Sequence, residues 1–202
     1  MKINTILFDD FETLDVFGPV EIFGRLPDDF TVCFYSQNGG LTKSVHGARI
    51  ATEPFAKIEA KDNVLFIPGG SGTRPLVKDR EYIQCLKQFA AESAYIFTVC
   101  TGSILFSKTG LLEGKKATSN KRLFQWTGME SPAVKWIKNA RWVKDGNIYT
   151  SSGISAGMDM ALGFVADILG DDIAVKQSIE IEYNWHRDKE NDPFANMHDA
   201  KI

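Results

Sequence analysis

The first hundred residues switch repeatedly between short apolar runs and helical spacing. Ile3 to Phe8 reads as a buried strand, and Leu14-Asp15-Val16-Phe17-Gly18-Pro19-Val20-Glu21-Ile22-Phe23 then takes up a helical rhythm. Phe30 to Ser36 predicts a second strand, with Gln37-Asn38-Gly39-Gly40 as the turn after it. Thr42 to Val45 and Ala48 to Thr52 predict a small hairpin around His46-Gly47. Val64-Leu65-Phe66-Ile67 is apolar throughout, the pattern of an inner parallel strand, and it emerges into Pro68-Gly69-Gly70-Ser71-Gly72. Asp79 is placed to cap a helix whose Tyr82, Leu86 and Phe89 form one stripe, with Ile83 and Ala90 beside it. Tyr95 to Val99 predicts another buried strand, followed at once by Cys100-Thr101-Gly102-Ser103 and a helix ending near Gly110.

In the second half, Ala140 to Lys144 and Asn147 to Thr150 flank Asp145-Gly146, a hairpin signal that predicts an antiparallel addition to the sheet. Ser151 to Gly157 is a small-residue turn, Met158 to Leu169 reads as a deeply buried helix, and a last helix is predicted from Asp172 to Trp185. Alternating strands and helices define an α/β sandwich with a mainly parallel central sheet. A single domain over 1–202 is expected, with the last ten or so residues as a tail.

Composition narrows the class. With 202 residues, 44% hydrophobic and 24% charged, the chain is an ordinary folded protein, and a net charge of -3 provides no broad surface for nucleic acid. No apolar stretch approaches the roughly 18 residues of a membrane span, and the N-terminal run is too short for a signal-peptide core. A cytoplasmic protein without membrane or nucleic-acid partners is expected. Three cysteines with no C-x-x-C pair argue against a disulfide framework or a zinc site.

The chemistry concentrates on Cys100, where a buried strand meets a helix start, a position expected to favour thiolate. Thr98-Val99-Cys100-Thr101-Gly102-Ser103 approaches the G-x-S-x-G nucleophile turn, with Thr98 in place of the first glycine and cysteine in place of serine. The competing reading is a buried structural cysteine. Cys33 and Cys85 are read as structural. His46, His186 and His198 carry no motif and read as surface residues, and Thr101 cannot act as a base. Asp15, just after the first strand, can approach the thiol at the sheet edge where functional loops gather. An N-cap role for Asp15 fits equally well, and Asp9, Asp10 and Glu12 compete with it. Gly69-Gly70 can offer backbone N–H groups to an anionic atom, with the Thr101 N–H converging. Neither G-x-G-x-x-G nor G-x-x-x-x-G-K-[ST] is present, and no His/Cys/Asp/Glu cluster has metal-ligand spacing, so no cofactor and no metal are expected.

Ile6-Leu7-Phe8, Leu14 to Pro19, Phe66-Ile67-Pro68-Gly69-Gly70, Val99-Cys100-Thr101-Gly102-Ser103 and Gly153-Ile154-Ser155-Ala156-Gly157-Met158-Asp159 together resemble the DJ-1/PfpI superfamily, as do Glu182-Tyr183 and Asp192-Pro193-Phe194. Asp15 with Cys100-Thr101 resembles its isonitrile hydratase-like branch. That resemblance implies a flavodoxin-like three-layer sandwich and a homodimer. It also implies Cys100 as nucleophile, Asp15 as acid/base, Thr101 as a hydrogen-bonding neighbour, Gly70 as a backbone donor and Ile154 close to the cysteine helix. Ala117-Thr118-Ser119-Asn120-Lys121 replaces the Thr-Thr-His-Trp pattern of isonitrile hydratases, so Asn120 joins Gly69, Gly70 and Ile154 as an expected pocket residue. Phe11, Trp126 and Tyr183 are further expected determinants of pocket width. Protease and amidase members carry histidine where this chain has Thr101, and the DNA-binding half of regulator relatives is expected to be absent. The implied activity is cofactor-free hydration of a small electrophile, with isonitrile to N-formamide as the named case. Glyoxalase- or deglycase-like work on α-oxoaldehydes and a cysteine-oxidation stress sensor are the alternatives.

Overall fold

The structure, a computed structural model, describes residues 1–197. Strand β1 (Lys2–Ile6) leads through a turn into α1 (Thr13–Gly24), and β2 (Thr31–Ser36), β3 (Asn38–Lys43) and β4 (Arg49–Pro54) follow. Next come β5 (Val64–Ile67), the single turn α2 (Thr73–Leu76), α3 (Arg80–Glu92), β6 (Tyr95–Val99) and α4 (Gly102–Ser107). The remainder is β7 (Lys116–Ala117), α5 (Phe124–Glu130), β8 (Lys135–Trp136), β9 (Trp142–Asp145), β10 (Ile148–Ser151), α6 (Ala156–Leu169) and α7 (Asp171–Glu180).

The main sheet has eight strands in the order β3-β4-β2-β1-β5-β6-β10-β9. Neighbours from β4 through β10 pair in parallel, while β3 and β9 run antiparallel at the two edges. The hairpins predicted around His46-Gly47 and Asp145-Gly146 supply those edges. The reason β5 is apolar at every position is visible in its packing. Val64 and Phe66 face a core layer with Phe97 and Phe164, whereas Leu65 and Ile67 face the opposite layer with Leu86, Ile104 and Phe106. Both faces of the strand are covered, so both must be apolar. On the first face Phe23, Phe30, Phe97 and Phe164 pack with ring centroids 5.3 to 6.2 Å apart, mostly edge-on or tilted.

Asp79 caps α3 as predicted, its carboxylate accepting the N–H groups of Glu81 and Tyr82. Two readings are corrected. Asn38-Gly39-Gly40 is the start of β3 rather than a turn, and a side chain at Gly39 would meet the Pro54 nitrogen at 2.9 Å. The last helix stops at Glu180 instead of Trp185. Glu182 takes a left-handed φ of 51°, and the chain folds back so that the Tyr183 hydroxyl and the His186 N–H both bond Asp159 Oδ1, at 3.0 and 2.9 Å. The apolar residues up to Trp185 therefore reflect docking on α6, not helical periodicity. Just before the expected tail, Asp192 is buried and faces Arg141 Nη1 at 3.6 Å and Lys121 Nζ at 3.8 Å; of the tail residues described, 193–197, Ala195 is buried and the others are exposed. His198 lies outside the described residues. Among the described residues no helix is long and apolar enough to cross a membrane.

Candidate active site

The carboxyl ends of β1, β5, β6 and β10 converge on Cys100. At the end of β6 the cysteine backbone takes φ 58°, a left-handed conformation rare for a residue with a side chain, with a typical cost of about 1–3 kcal/mol. Its neighbours enforce the turn. Cys100 N–H donates to Ser152 O (3.2 Å), and Ser103 Oγ and Ser119 Oγ donate to Cys100 O (3.0 and 2.9 Å). Gly102 permits the elbow, because a Cβ there would fall 2.3 Å from Ile67 O. The sharp strand-to-helix turn anticipated at the thiol is therefore present.

Asp15 lies in the first turn of α1, fully buried, and does not cap that helix. Its Oδ2 accepts the Gly69 N–H at 2.9 Å, and its Oδ1 is buried without a hydrogen-bond partner. Gly69 is needed for this approach, since a Cβ would stand 2.6 Å from Thr101 N and 2.8 Å from Asp15 Oδ2. Thr101 Oγ1 accepts the Gly70 N–H at 3.1 Å, and Thr73 Oγ1 sits 3.1 Å from it while donating to Gly70 O at 2.7 Å. The Gly69 and Gly70 N–H groups are thus engaged inside the site. This corrects the expectation that they are offered to a substrate anion; they brace Asp15 and Thr101 instead.

Asn120 donates through Nδ2 to Cys100 Sγ at 3.1 Å. Its Oδ1 accepts the Arg122 N–H at 2.9 Å, which fixes the NH₂ side of the amide toward sulfur. Gly153 leaves room for that contact, because a Cβ would lie 2.1 Å from Asn120 Nδ2 and 3.3 Å from the sulfur. Burial pushes the Cys100 thiol well above its ordinary range and the Asp15 charge adds to this, whereas the Asn120 amide and Thr101 N–H favour thiolate. Burial likewise raises the Asp15 carboxyl well above its ordinary value, with the Gly69 N–H opposing it. The resting thiolate anticipated from the helix start is therefore corrected. Thiol and carboxyl compete for protons, and burial raises the proton affinity of both.

A cavity of ≈ 270 Å³ opens over the sulfur, lined by Glu12, Gly70, Ser71, Arg74, Cys100, Thr101, Asn120, Arg122, Leu123, Trp126 and Ile154. The structure thus brings Cys100, Thr101, Gly70, Asn120 and Ile154 to one cavity, with Asp15 and Gly69 behind it. Phe11 and Tyr183 do not line it; Phe11 is fully buried beneath and Tyr183 is bonded to Asp159. Asp9 and Asp10 are exposed, with Asp9 accepting the Lys43 N–H, so neither competes with Asp15. His46 sits in its hairpin turn near Glu12, and His186 contacts Asn191 O, so neither reaches the thiol. Thr73, Arg74, Arg122 and Leu123 were not singled out by sequence. Thr73-Arg74 follows a glycine loop with no periodic signal, and Arg122-Leu123 is visible only as the stretch beside Asn120.

The fold and this buried Cys–Asp pair define a cysteine-centred α/β protein. The DJ-1/PfpI family model matches residues 1–167, and the chain belongs to that family. Isonitrile hydratase from Pseudomonas putida is 32% identical over 185 residues, covering 91% of this chain and 78% of the relative. Deglycase PfpI from Pyrococcus furiosus is 24% identical over 75% of this chain and 89% of its own length. A crystal structure of a ThiJ/PfpI family protein from Pseudomonas syringae superposes with a TM-score of 0.81 at 29% identity, covering 91% of this chain and 75% of that one. The first two carry enzymatic names, and the sandwich seen here is the family's flavodoxin-like fold.

Proposed function

We propose that this protein is a cofactor-independent cysteine enzyme that hydrates a small isonitrile to the N-formamide. The observation that carries the reading is the buried Asp15 carboxyl, with one oxygen unpartnered, in a site whose thiol opens to a small cavity. The similarity to an isonitrile hydratase over 91% of the chain supports the choice of substrate.

In this scheme Asp15 takes the Cys100 S–H proton while sulfur forms a bond to the terminal carbon of R–N≡C. The same proton passes from Asp15 to that carbon, giving the thioimidate R–N=CH–S. Water then adds to the carbon: Asp15 accepts one of its protons and passes that same proton to the nitrogen, giving R–NH–CH(OH)–S and leaving Asp15 ionised. The C–S bond breaks with its electrons returning to sulfur, the hydroxyl proton returns through Asp15, and R–NH–CHO leaves. Sulfur suits both halves, attacking a soft carbon and departing once water has added. The high proton affinity of Asp15 suits a group that must hold and release one proton in each half.

Purified protein is expected to convert cyclohexyl isocyanide to the formamide, and Cys100→Ala to reduce turnover to the uncatalysed rate. Unchanged substrate with the wild type, or equal turnover by the variant, overturns the reading. Turnover of methylglyoxal instead would move the reaction to the glyoxalase class.

A further inference from the structure

We infer that the substrate of this cavity carries an anionic group, a carboxylate or similar oxyanion, received by Arg74 and Arg122. The inference rests on the reading of Cys100 as the nucleophile and names the class of molecule it attacks.

Arg74 comes from the turn of α2 that follows the Gly70 loop, and Arg122 from the 3₁₀ turn opened by Asn120. Two separate segments thus bring guanidinium groups to the cavity that contains the sulfur. Both arginines are exposed, and among the described residues neither has a carboxylate partner, so both guanidinium groups at this cavity are free to meet an anion. The one carboxylate lining the cavity, Glu12, lies 3.5 Å from His46 Nδ1. Two unpaired cations at one opening repel each other, and a bound oxyanion relieves that repulsion. Guanidinium groups match a carboxylate through paired N–H donors, and the Ser71 hydroxyl adds a donor at the same cavity. Trp126 and Ile154 supply apolar wall. The molecule that fits these groups is a short isocyano carboxylic acid: reactive carbon at sulfur, compact apolar body, and oxyanion at the two arginines.

Iodoacetate and iodoacetamide present the same electrophile to Cys100 with and without a carboxylate, so their relative alkylation rates read the charge preference without requiring hydratase turnover. Relative to glutathione, the iodoacetate-to-iodoacetamide rate ratio at Cys100 is expected to be about fivefold higher, the size of two exposed charge contacts. That excess should shrink as salt is added and disappear in Arg74→Gln/Arg122→Gln. A wild-type ratio equal to or below that of glutathione overturns the inference, as does an excess that survives in the double variant. Should Cys100 resist both reagents, the cavity admits no small electrophile and the inference falls with the reading beneath it. An anion preference without turnover of isocyanoacetate or its methyl ester would retain the anion subsite and remove only the hydration reaction.

Discussion

Asp15 accepts a single backbone N–H, and its second oxygen is buried without a partner. Burial raises its proton affinity above that of an unfolded aspartate, so the folded state binds more protons than the unfolded one once pH passes the unfolded value of about 3.9. The stability Asp15 contributes is fully present below that pH and is lost as pH rises through the folded value. Asp15→Asn keeps the shape and an acceptor for the Gly69 N–H while removing the buried charge. In urea titrations it is expected to be more stable than wild type at pH 8, with the difference vanishing near pH 3.5, and to have no hydratase activity. A variant less stable than wild type at pH 8 would contradict the assignment of Asp15 as an acid held at a cost to the fold.

Elements buried on both faces, or fixed by one local bond, were legible in the sequence. β5 and β6 carry the predicted bounds because each is closed by a sharp chemical change, Pro68-Gly69 in one case and Cys100-Thr101 in the other. α3 was legible through its Asp79 cap. The misread elements are those in which tertiary contact supplies the pattern. Trp185 looked helical because its indole N–H reaches Asp159 O at 3.1 Å, and Asn38-Gly39-Gly40 looked like a turn because glycine is required where β3 crowds β4. At the site, the placing of Cys100, Asp15 and Thr101 together was legible from strand ends and the family motif, whereas Asn120 was expected only as a pocket residue in a segment that departs from the motif, and its bond to sulfur was not legible. The role of Gly69 and Gly70 was not, because only three-dimensional proximity shows their N–H groups already bonded. The protonation of the thiol was not legible either, since it depends on burial and on a carboxyl 85 positions away in sequence that nothing local to Cys100 reveals.

Across the whole molecule, the segment after α7 locks the site's outer wall to the core. Asp192 is buried against Lys121 and Arg141, Arg141 also pairs with Asp159 at 2.9 Å, and Lys121 directly follows Asn120. Burial lowers the Lys121 pKa to about 8 despite the Asp192 charge. Removing one member of such a buried cluster strands the others, so Asp192→Ala is expected to cost about 3 kcal/mol in urea unfolding, against at most about 0.5 kcal/mol for breaking the exposed Lys57–Glu53 pair with Glu53→Ala. Equal effects of the two substitutions would show that the C-terminal segment is not part of the folded core. The convergence of strand ends matters for chemistry only if the carboxyl and the thiol compete for the same protons. The most direct test is the pH dependence of Cys100 alkylation by iodoacetamide. The wild-type midpoint should lie above that of a free thiol, moving down in Asp15→Asn, which removes the opposing charge, and up in Asn120→Ala, which removes the N–H bound to sulfur. A midpoint that stays in place when Asp15 is neutralised would contradict the shared-proton site.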